Sequence, residues 1–83
     1  MSATIYYQAV EGKALTIGAP SSFLDLLDRV FHHGRGSFEL TTREAVGLRV
    51  AARATDQTEF RRALEELADA VERHDTIRVW PEY

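Results

Sequence analysis

Hydrophobic and polar residues alternate near the start of the chain in a pattern that predicts a β-hairpin. The stretch TIYYQAV is mostly β-branched or aromatic, which favours a strand. Alternation places Ile5 and Tyr7 on one face of this strand, and Tyr6 and Gln8 on the other. Gly12 can take the left-handed conformation of a tight turn, so KALTIG is expected to return as the second strand.

The spacing of apolar residues becomes helical in the segment SSFLDLLDRVFHH. Apolar residues recur at i, i+3, i+4 and i+7 from Phe23, which predicts an amphipathic helix. Ser22 is the expected N-cap, and Gly34 is expected to end the helix because glycine tolerates a left-handed backbone. Pro20 is expected to stop the strand before this helix, and a short extended piece is expected around Phe38.

Two further helices are predicted in the second half of the chain. Thr41 and Glu44 have the spacing of a capping box, which favours a helix over about 42–53. The segment GLRVAARA also alternates, so a strand is the alternative there. Asp56 and Glu59 repeat the capping spacing before EFRRALEELADAVERH, the clearest amphipathic stretch of the chain, which Asp75 is expected to end.

The closing segment TIRVW is expected to form the last strand and to pair with the first. Alternation turns Ile77 and Val79 towards the helices, and Arg78 and Trp80 towards the opposite face. The element order is then β-β-α-(short β)-α-α-β. It predicts a single α+β domain over residues 1–83, with an antiparallel sheet of three or four strands and about three helices packed on one face.

Composition limits the class of protein and its compartment. A chain of 83 residues with 45% hydrophobic residues has the size and composition of one globular domain. It has no cysteine, which excludes disulfides, thiolate metal sites and cysteine nucleophiles and favours a reducing cytoplasm. No apolar run approaches the ~20 residues that span a bilayer, and the first residues lack a signal-peptide pattern, so no membrane partner is expected.

Candidate catalytic and metal-binding patterns are sparse. None of the serines lies in a nucleophile-elbow pattern, and no phosphate-binding or dinucleotide fingerprint occurs, so we expect a protein that is not an enzyme and has no cofactor. The alternative is a small-ligand or metal site at the end of the first helix. There Asp28 and His32 share one helical face, and His33 and Arg35 follow closely.

The charge balance argues against nucleic acid as a partner. The chain has 13 acidic and 10 basic residues, a net charge of −3. Arg43, Arg49 and Arg53 on the second helix weakly suggest a helix-turn-helix motif, in which the third helix would read the DNA. However, residues 56–75 contain seven acidic and three basic side chains, a net charge of −4 that repels phosphates.

The same acidic helix could attract a basic partner protein. Glu65, Glu66, Asp69 and Glu72 are its candidate contact residues, although a solvated amphipathic helix has the same composition.

The orientation of Trp80 decides between a buried core residue and a binding surface. If it points away from the helices, Tyr6, Gln8, Arg78 and Trp80 form an open sheet face with the composition of a binding hot spot. An exposed aromatic patch on a small domain usually finds a partner, often a second copy of the chain. The sequence therefore favours a non-enzymatic protein–protein interaction module, a homodimer that acts as a small regulator, inhibitor or immunity-type protein.

Overall fold

The computed structural model describes residues 2–9, 12–20, 22–31 and 37–82 of the chain. Its elements follow the order β-β-α-β-α-α-β, which confirms the predicted fold class. They are β1 (Ser2–Ala9), β2 (Leu15–Pro20), α1 (Ser22–Phe31), β3 (Phe38–Thr41), α2 (Thr42–Ala54), α3 (Thr58–His74) and β4 (Thr76–Glu82).

The four strands form one antiparallel sheet in the order β2-β1-β4-β3. The first and last strands pair, as predicted, with Tyr6 opposite Trp80 and Gln8 opposite Arg78. The structure adds that they lie at the centre of the sheet. On the far side of β4, Glu39 lies opposite Arg78. This register fixes which side chains of three strands are neighbours on each face of the sheet.

The core lies between one face of the sheet and the three helices. Alternate residues of every strand are buried on that face: Ile5, Tyr7, Ile17, Ala19, Leu40, Ile77 and Val79. The helices contribute the complementary apolar side chains, among them Phe23, Leu27, Leu48, Leu64, Leu67 and Val71. The rings of Phe23 and Phe60 meet with their centroids 5.5 Å apart, which ties α1 to the start of α3.

The ends of the sheet strands differ from the prediction at two prolines. Pro20 is the last residue of β2 rather than the residue that stops it, and β4 runs through Pro81 to Glu82. Proline lacks the N–H that a central strand must donate. It is tolerated at position 81 because β3 pairs with β4 only as far as Val79, so beyond that point β4 has one neighbour.

The ambiguous segment after the third strand is helical. Thr41 and Glu44 form the predicted capping box, in which the Glu44 carboxylate accepts a hydrogen bond from the Thr41 backbone N–H at 3.0 Å. This contact satisfies a donor that the first turn leaves free. The same hydrogen bond network lowers the pKa of Glu44, because its Thr41 hydroxyl and amide partners favour the charged form.

The start of the third helix and the cap of the first differ from the prediction. The capping box expected at Asp56 and Glu59 does not form, since α3 begins at Thr58 after Gln57 as its N-cap. Ser22, the expected cap of α1, is instead its first helical residue.

The turn between α2 and α3 is held by an arginine side chain in addition to the C-cap Thr55, whose N–H donates to the carbonyl of Ala51 at 3.1 Å. Arg61 donates from Nε to the carbonyl of Ala52 at 3.2 Å and from Nη2 to the carbonyl of Thr55 at 2.8 Å. These carbonyls belong to the last turn of α2, where helical partners run out. The guanidinium therefore satisfies the acceptors that make a short helix–helix connection costly.

Asp75 ends α3, as the sequence predicted. Its backbone has a φ of 67°, in the left-handed region, and its N–H donates to the carbonyl of Val71 at 2.8 Å. Aspartate tolerates this conformation better than most residues other than glycine. The reversal sends the chain directly into β4, whose first residue is Thr76.

A matched pair of leucines tests the position of the core. Leu64 is fully buried, whereas Leu15, on the edge strand, is 54% exposed. We expect Leu64→Ala to lower the free energy of unfolding by about 2–5 kcal/mol and Leu15→Ala to change it by less than about 0.5 kcal/mol. Urea denaturation of the two variants measures the difference, and equal losses would contradict this core.

Candidate protein-binding surface

The face of the sheet opposite the helices is open along the described part of the chain. We call it the outer sheet face and define it by the residues that alternate with the buried ones: Thr4, Tyr6, Gln8, Thr16, Gly18, Glu39, Thr76, Arg78 and Trp80. None of these residues is buried, whereas their neighbours along each strand are mostly buried. The structure therefore places Trp80 outside the hydrophobic core.

An aromatic pair lies near the middle of the outer sheet face. Tyr6 on β1 and Trp80 on β4 are cross-strand partners, and their rings stack with centroids 5.6 Å apart and planes 9° from parallel. Both side chains are half-buried, and each ring covers part of the other. Such a pair contributes about 0.5–1.5 kcal/mol beyond the area it buries, so it also holds the two rings in place.

A polar row lies beside the aromatic pair. Gln8 donates from Nε2 to the carbonyl of Gly12 at 2.7 Å, which fixes its amide towards the β1–β2 turn. Arg78 and Glu39 approach to 3.6 Å, and their side chains are 63% and 58% exposed. These three side chains, with Thr76 and Ala9, line a depression of about 270 Å³. The row thus offers a carboxylate, a guanidinium and an amide within reach of one docked side chain.

Glu39 was not predicted from the sequence as part of this surface. Phe38 is partly buried and Leu40 is fully buried, so the alternation of β3 already pointed Glu39 outward. The missing information was that β3 pairs with β4 rather than with another strand. Once that pairing is known, Arg78 is the residue opposite Glu39.

The shifted pKa values of the described residues have structural causes. Burial and the Glu66 carboxylate raise the pKa of Tyr7 to about 12, and the capping box lowers that of Glu44. The pKa of Arg49 is raised because Asp69 and Glu72 accept its hydrogen bonds. No charged side chain among the described residues is buried. None of these three residues belongs to the outer sheet face, since Tyr7 faces the core and Glu44 and Arg49 are on α2.

The four acidic residues predicted to attract a basic partner do not form one free patch. The Arg49 guanidinium lies 2.5 Å from Asp69 and 2.9 Å from Glu72. On another side of α3, Glu66 accepts the hydrogen bond of the Tyr7 hydroxyl at 2.6 Å. Glu65 is exposed. Three of the four carboxylates thus already have partners within the chain, which leaves less charge to steer another protein.

The arginines of α2 are also not equivalent. Arg49 is neutralised by the two carboxylates of α3, while Arg43 and Arg53 are exposed. A nucleic-acid surface would need these cations to be free together on one face with the third helix. That nucleic acid is a disfavoured partner stays a prediction.

The alternative ligand or metal site falls largely outside the described residues. Asp28 is exposed on α1, while His32, His33 and Arg35 are not among the residues that the structure describes. Within the described ranges, no group of three or more His, Cys, Asp or Glu side chains is arranged to hold a metal ion. In the same ranges, no helix is both long enough and apolar enough to cross a membrane.

Comparison with known proteins finds no family model, no curated protein and no solved structure that matches this chain.

The burial of the Tyr7 hydroxyl, together with its hydrogen bond to Glu66, makes the stability of the protein depend on pH. The pKa of Tyr7 is about 12 in the folded protein and about 10 when it is unfolded, so folding favours the protonated phenol. Its stabilising contribution, at most about 3 kcal/mol, is fully present below pH ~10 and is lost as the pH rises through ~12.

We therefore expect the stability of the natural chain to fall more steeply above pH ~10 than that of the Tyr7→Phe variant, which has no phenol to ionise. Urea denaturation of both proteins at a series of alkaline pH values measures this difference. Parallel pH profiles would contradict the burial of the Tyr7 hydroxyl beside Glu66.

Proposed function

We propose that this protein is a non-enzymatic protein–protein interaction module whose outer sheet face is the docking surface, and that a second copy of the chain docks there. The single observation that supports this proposal most strongly is the stacked pair of Tyr6 and Trp80 on that face. Tryptophan, tyrosine and arginine are the residues most enriched in binding hot spots. Here all three lie on adjacent positions of the two central strands, with Arg78 two residues before Trp80.

The outer sheet face has the features of a self-complementary surface. It carries the aromatic pair on the same face as a depression of about 270 Å³, so a two-fold axis between them allows each pair to pack against the partner's depression. It also carries opposite charges side by side, Arg78 and Glu39, which two copies can exchange as Arg78 to Glu39 in both directions. In an isologous contact, the aromatic pair of each copy can pack against the depression of the other while Arg78 of each copy faces Glu39 of the other.

The size of the face limits the strength of the dimer. Four strands about 4.8 Å apart and about 20 Å long offer a flat area of roughly 400 Å². A standard interface buries about 800 Å² on each partner. The surface is therefore expected to support a weak, concentration-dependent dimer with a dissociation constant in the micromolar range or above, rather than an obligate one.

A module of this kind acts by binding a partner protein rather than by converting a substrate. We place it among small regulators, inhibitors or immunity-type proteins, which is a proposal from its size and surface. We place it in the cytoplasm because a cysteine-free chain is compatible with a reducing compartment.

Replacing the tryptophan should separate association from folding. We expect Trp80→Ala to weaken self-association by about tenfold or more, as loss of a hot-spot anchor does. Its cost to stability should be only about 1–2 kcal/mol, because the side chain is half-exposed, in contrast to about 3–5 kcal/mol for a buried tryptophan. Sedimentation velocity at several concentrations measures association, and urea denaturation measures stability. Val46→Ala is the control, since Val46 is exposed on α2 rather than on the sheet.

A charge exchange tests whether the partner is a second copy. Arg78→Glu and Glu39→Arg should each weaken the dimer, because each places like charges opposite one another across the two-fold axis. The double variant carrying both changes should recover association, since every pair is opposite again. A Trp80→Ala variant that associates like the natural chain, or a double variant no better than its parents, would refute dimerisation through this face.

A further inference from the structure

The exposed side of α2 carries an apolar strip that no part of the described structure covers. Val46 and Val50 are 68% and 57% exposed, and they lie one helical turn apart. Ala54 continues the line at the next turn and is exposed, while Gly47 and Ala51 lie half-buried beside it. We call these five residues the α2 strip. Within the described residues, just one other large hydrophobic side chain, that of Leu15, is comparably exposed, and it lies on the sheet edge.

The α2 strip continues into a groove between α1 and the α2–α3 turn. The groove has a volume of about 550 Å³, and Ala51 and Ala54 form one wall of it. Leu26 of α1 and Phe60 of α3 add apolar surface to its lining. Because Gly47 and Ala51 have little or no side chain, another helix can approach α2 closely, at the short end of the usual 8–10 Å interaxial distance. The groove also has polar lining residues, namely Ser22, Asp25, Arg29, Thr55 and Gln57. Strip and groove together therefore form a trough that is apolar along α2 and partly polar at its end, a surface suited to an amphipathic helix.

Cationic side chains border the trough. Arg43 precedes the α2 strip and Arg53 lies near its end, and neither forms a hydrogen bond or ion pair with another described residue. Arg29 and Asp25 of α1 stand at the groove, and Asp25 already has an interaction of its own. Arg49, in contrast, is held by α3 carboxylates. The free charge along the α2 strip is therefore positive, on a chain whose net charge is −3. At the groove the charge is mixed, because the exposed Asp56 lies in the α2–α3 turn beside it.

The charge around the trough decides which occupant fits. A second copy docked symmetrically on this face would bring Arg43 and Arg53 against the same arginines, which is repulsive. Nucleic acid would use the arginines but would gain nothing from burying Val46 and Val50. A helix with an apolar face and acidic flanks satisfies both features together. We propose that the α2 strip and the adjoining groove bind an acidic amphipathic helix of another protein.

This second surface does not depend on dimerisation through the sheet. The α2 strip lies on the helical layer, and the outer sheet face lies on the opposite side of the sheet. Trp80→Ala should consequently leave helix binding unchanged, so failure of one proposal does not imply failure of the other.

Two synthetic peptides test the proposal. Each has about 18 residues, or five helical turns, with leucines at i, i+3, i+4 and i+7 spacing, and glutamate in one peptide or lysine in the other at the flanking positions. We expect the fluorescence anisotropy of the labelled glutamate peptide to rise on titration with the protein. Its binding should be about tenfold or more tighter than that of the lysine peptide, which corresponds to about 1.4 kcal/mol.

Three variants locate the binding. Val50→Asp should weaken binding of the glutamate peptide about tenfold or more, while Leu15→Asp, at a comparably exposed leucine away from the trough, should leave it unchanged. Reversing both arginines, Arg43→Glu with Arg53→Glu, should make the lysine peptide the tighter ligand. Circular dichroism of each variant checks that the fold is retained, as expected for substitutions at exposed positions.

Several results would overturn the proposal. These are no binding of the glutamate peptide, equal binding of the two peptides, or binding that Val50→Asp does not weaken. Binding of a labelled DNA duplex that competes with the glutamate peptide would assign the surface to nucleic acid instead. If Val50→Asp turned a dimer into a monomer in sedimentation velocity, a second copy would be the occupant, and the proposal would fail in favour of that interface.

Discussion

The pairing of β1 with β4 is the interaction on which the rest of the structure depends. These strands come from the two ends of the chain and lie side by side at the centre of the sheet, with one edge strand beyond each. Because side chains alternate along each strand, this single register divides them between two surfaces. Ile77 and Val79 go to the core, while Arg78 and Trp80 go to the outer sheet face. A slip by one residue would exchange the two sets and would place a guanidinium among the helices.

The two sides of the protein therefore have different physical roles. On the helical side, α2 and α3 form a hairpin fixed by charge-assisted contacts, with Arg49 bound to Asp69 and Glu72, and Arg61 bound to carbonyls of the turn. On the outer side of the sheet, no helix among the described residues covers the aromatic pair. A dimer through the outer sheet face would leave the α2 strip of each copy pointing away from the interface. The assembly would then present two equivalent troughs, and a partner with two acidic helices could bind it with increased avidity.

Much of the fold follows from the sequence, for identifiable reasons. The capping box of Thr41 and Glu44 and the stripe of α3 are local patterns, so they specify the α2 start and the third helix directly. The alternation of TIRVW specified the orientation of Trp80 once its strand was assumed to pair with the first. The failures lie where long-range contacts override local signals. Asp56 and Glu59 have capping spacing, but α3 begins one residue later than this spacing predicts, with Gln57 as its N-cap, and Arg61 instead bonds to carbonyls of the turn.

The candidate surfaces were harder to predict because they need tertiary information. Glu39 joins the outer sheet face only through the β3–β4 pairing. Asp69 and Glu72 have a partner because α2 brings Arg49 beside them, and Glu66 has one because the sheet brings Tyr7 beside it. The exposure of Val46 and Val50 cannot be deduced from the sequence, because α2 has hydrophobic residues on more than one side. Only the tertiary structure shows which of these sides packs against the core.

The most direct test of this account uses the fluorescence of Trp80, the single tryptophan of the chain. Iodide does not enter a packed core, so at constant ionic strength it should quench the emission of the dilute, folded protein substantially. The quenching should decrease as the protein concentration is raised and the outer sheet face becomes covered. Emission that iodide fails to quench at any concentration until urea unfolds the chain would place the indole in the core, contradicting the division between the two faces.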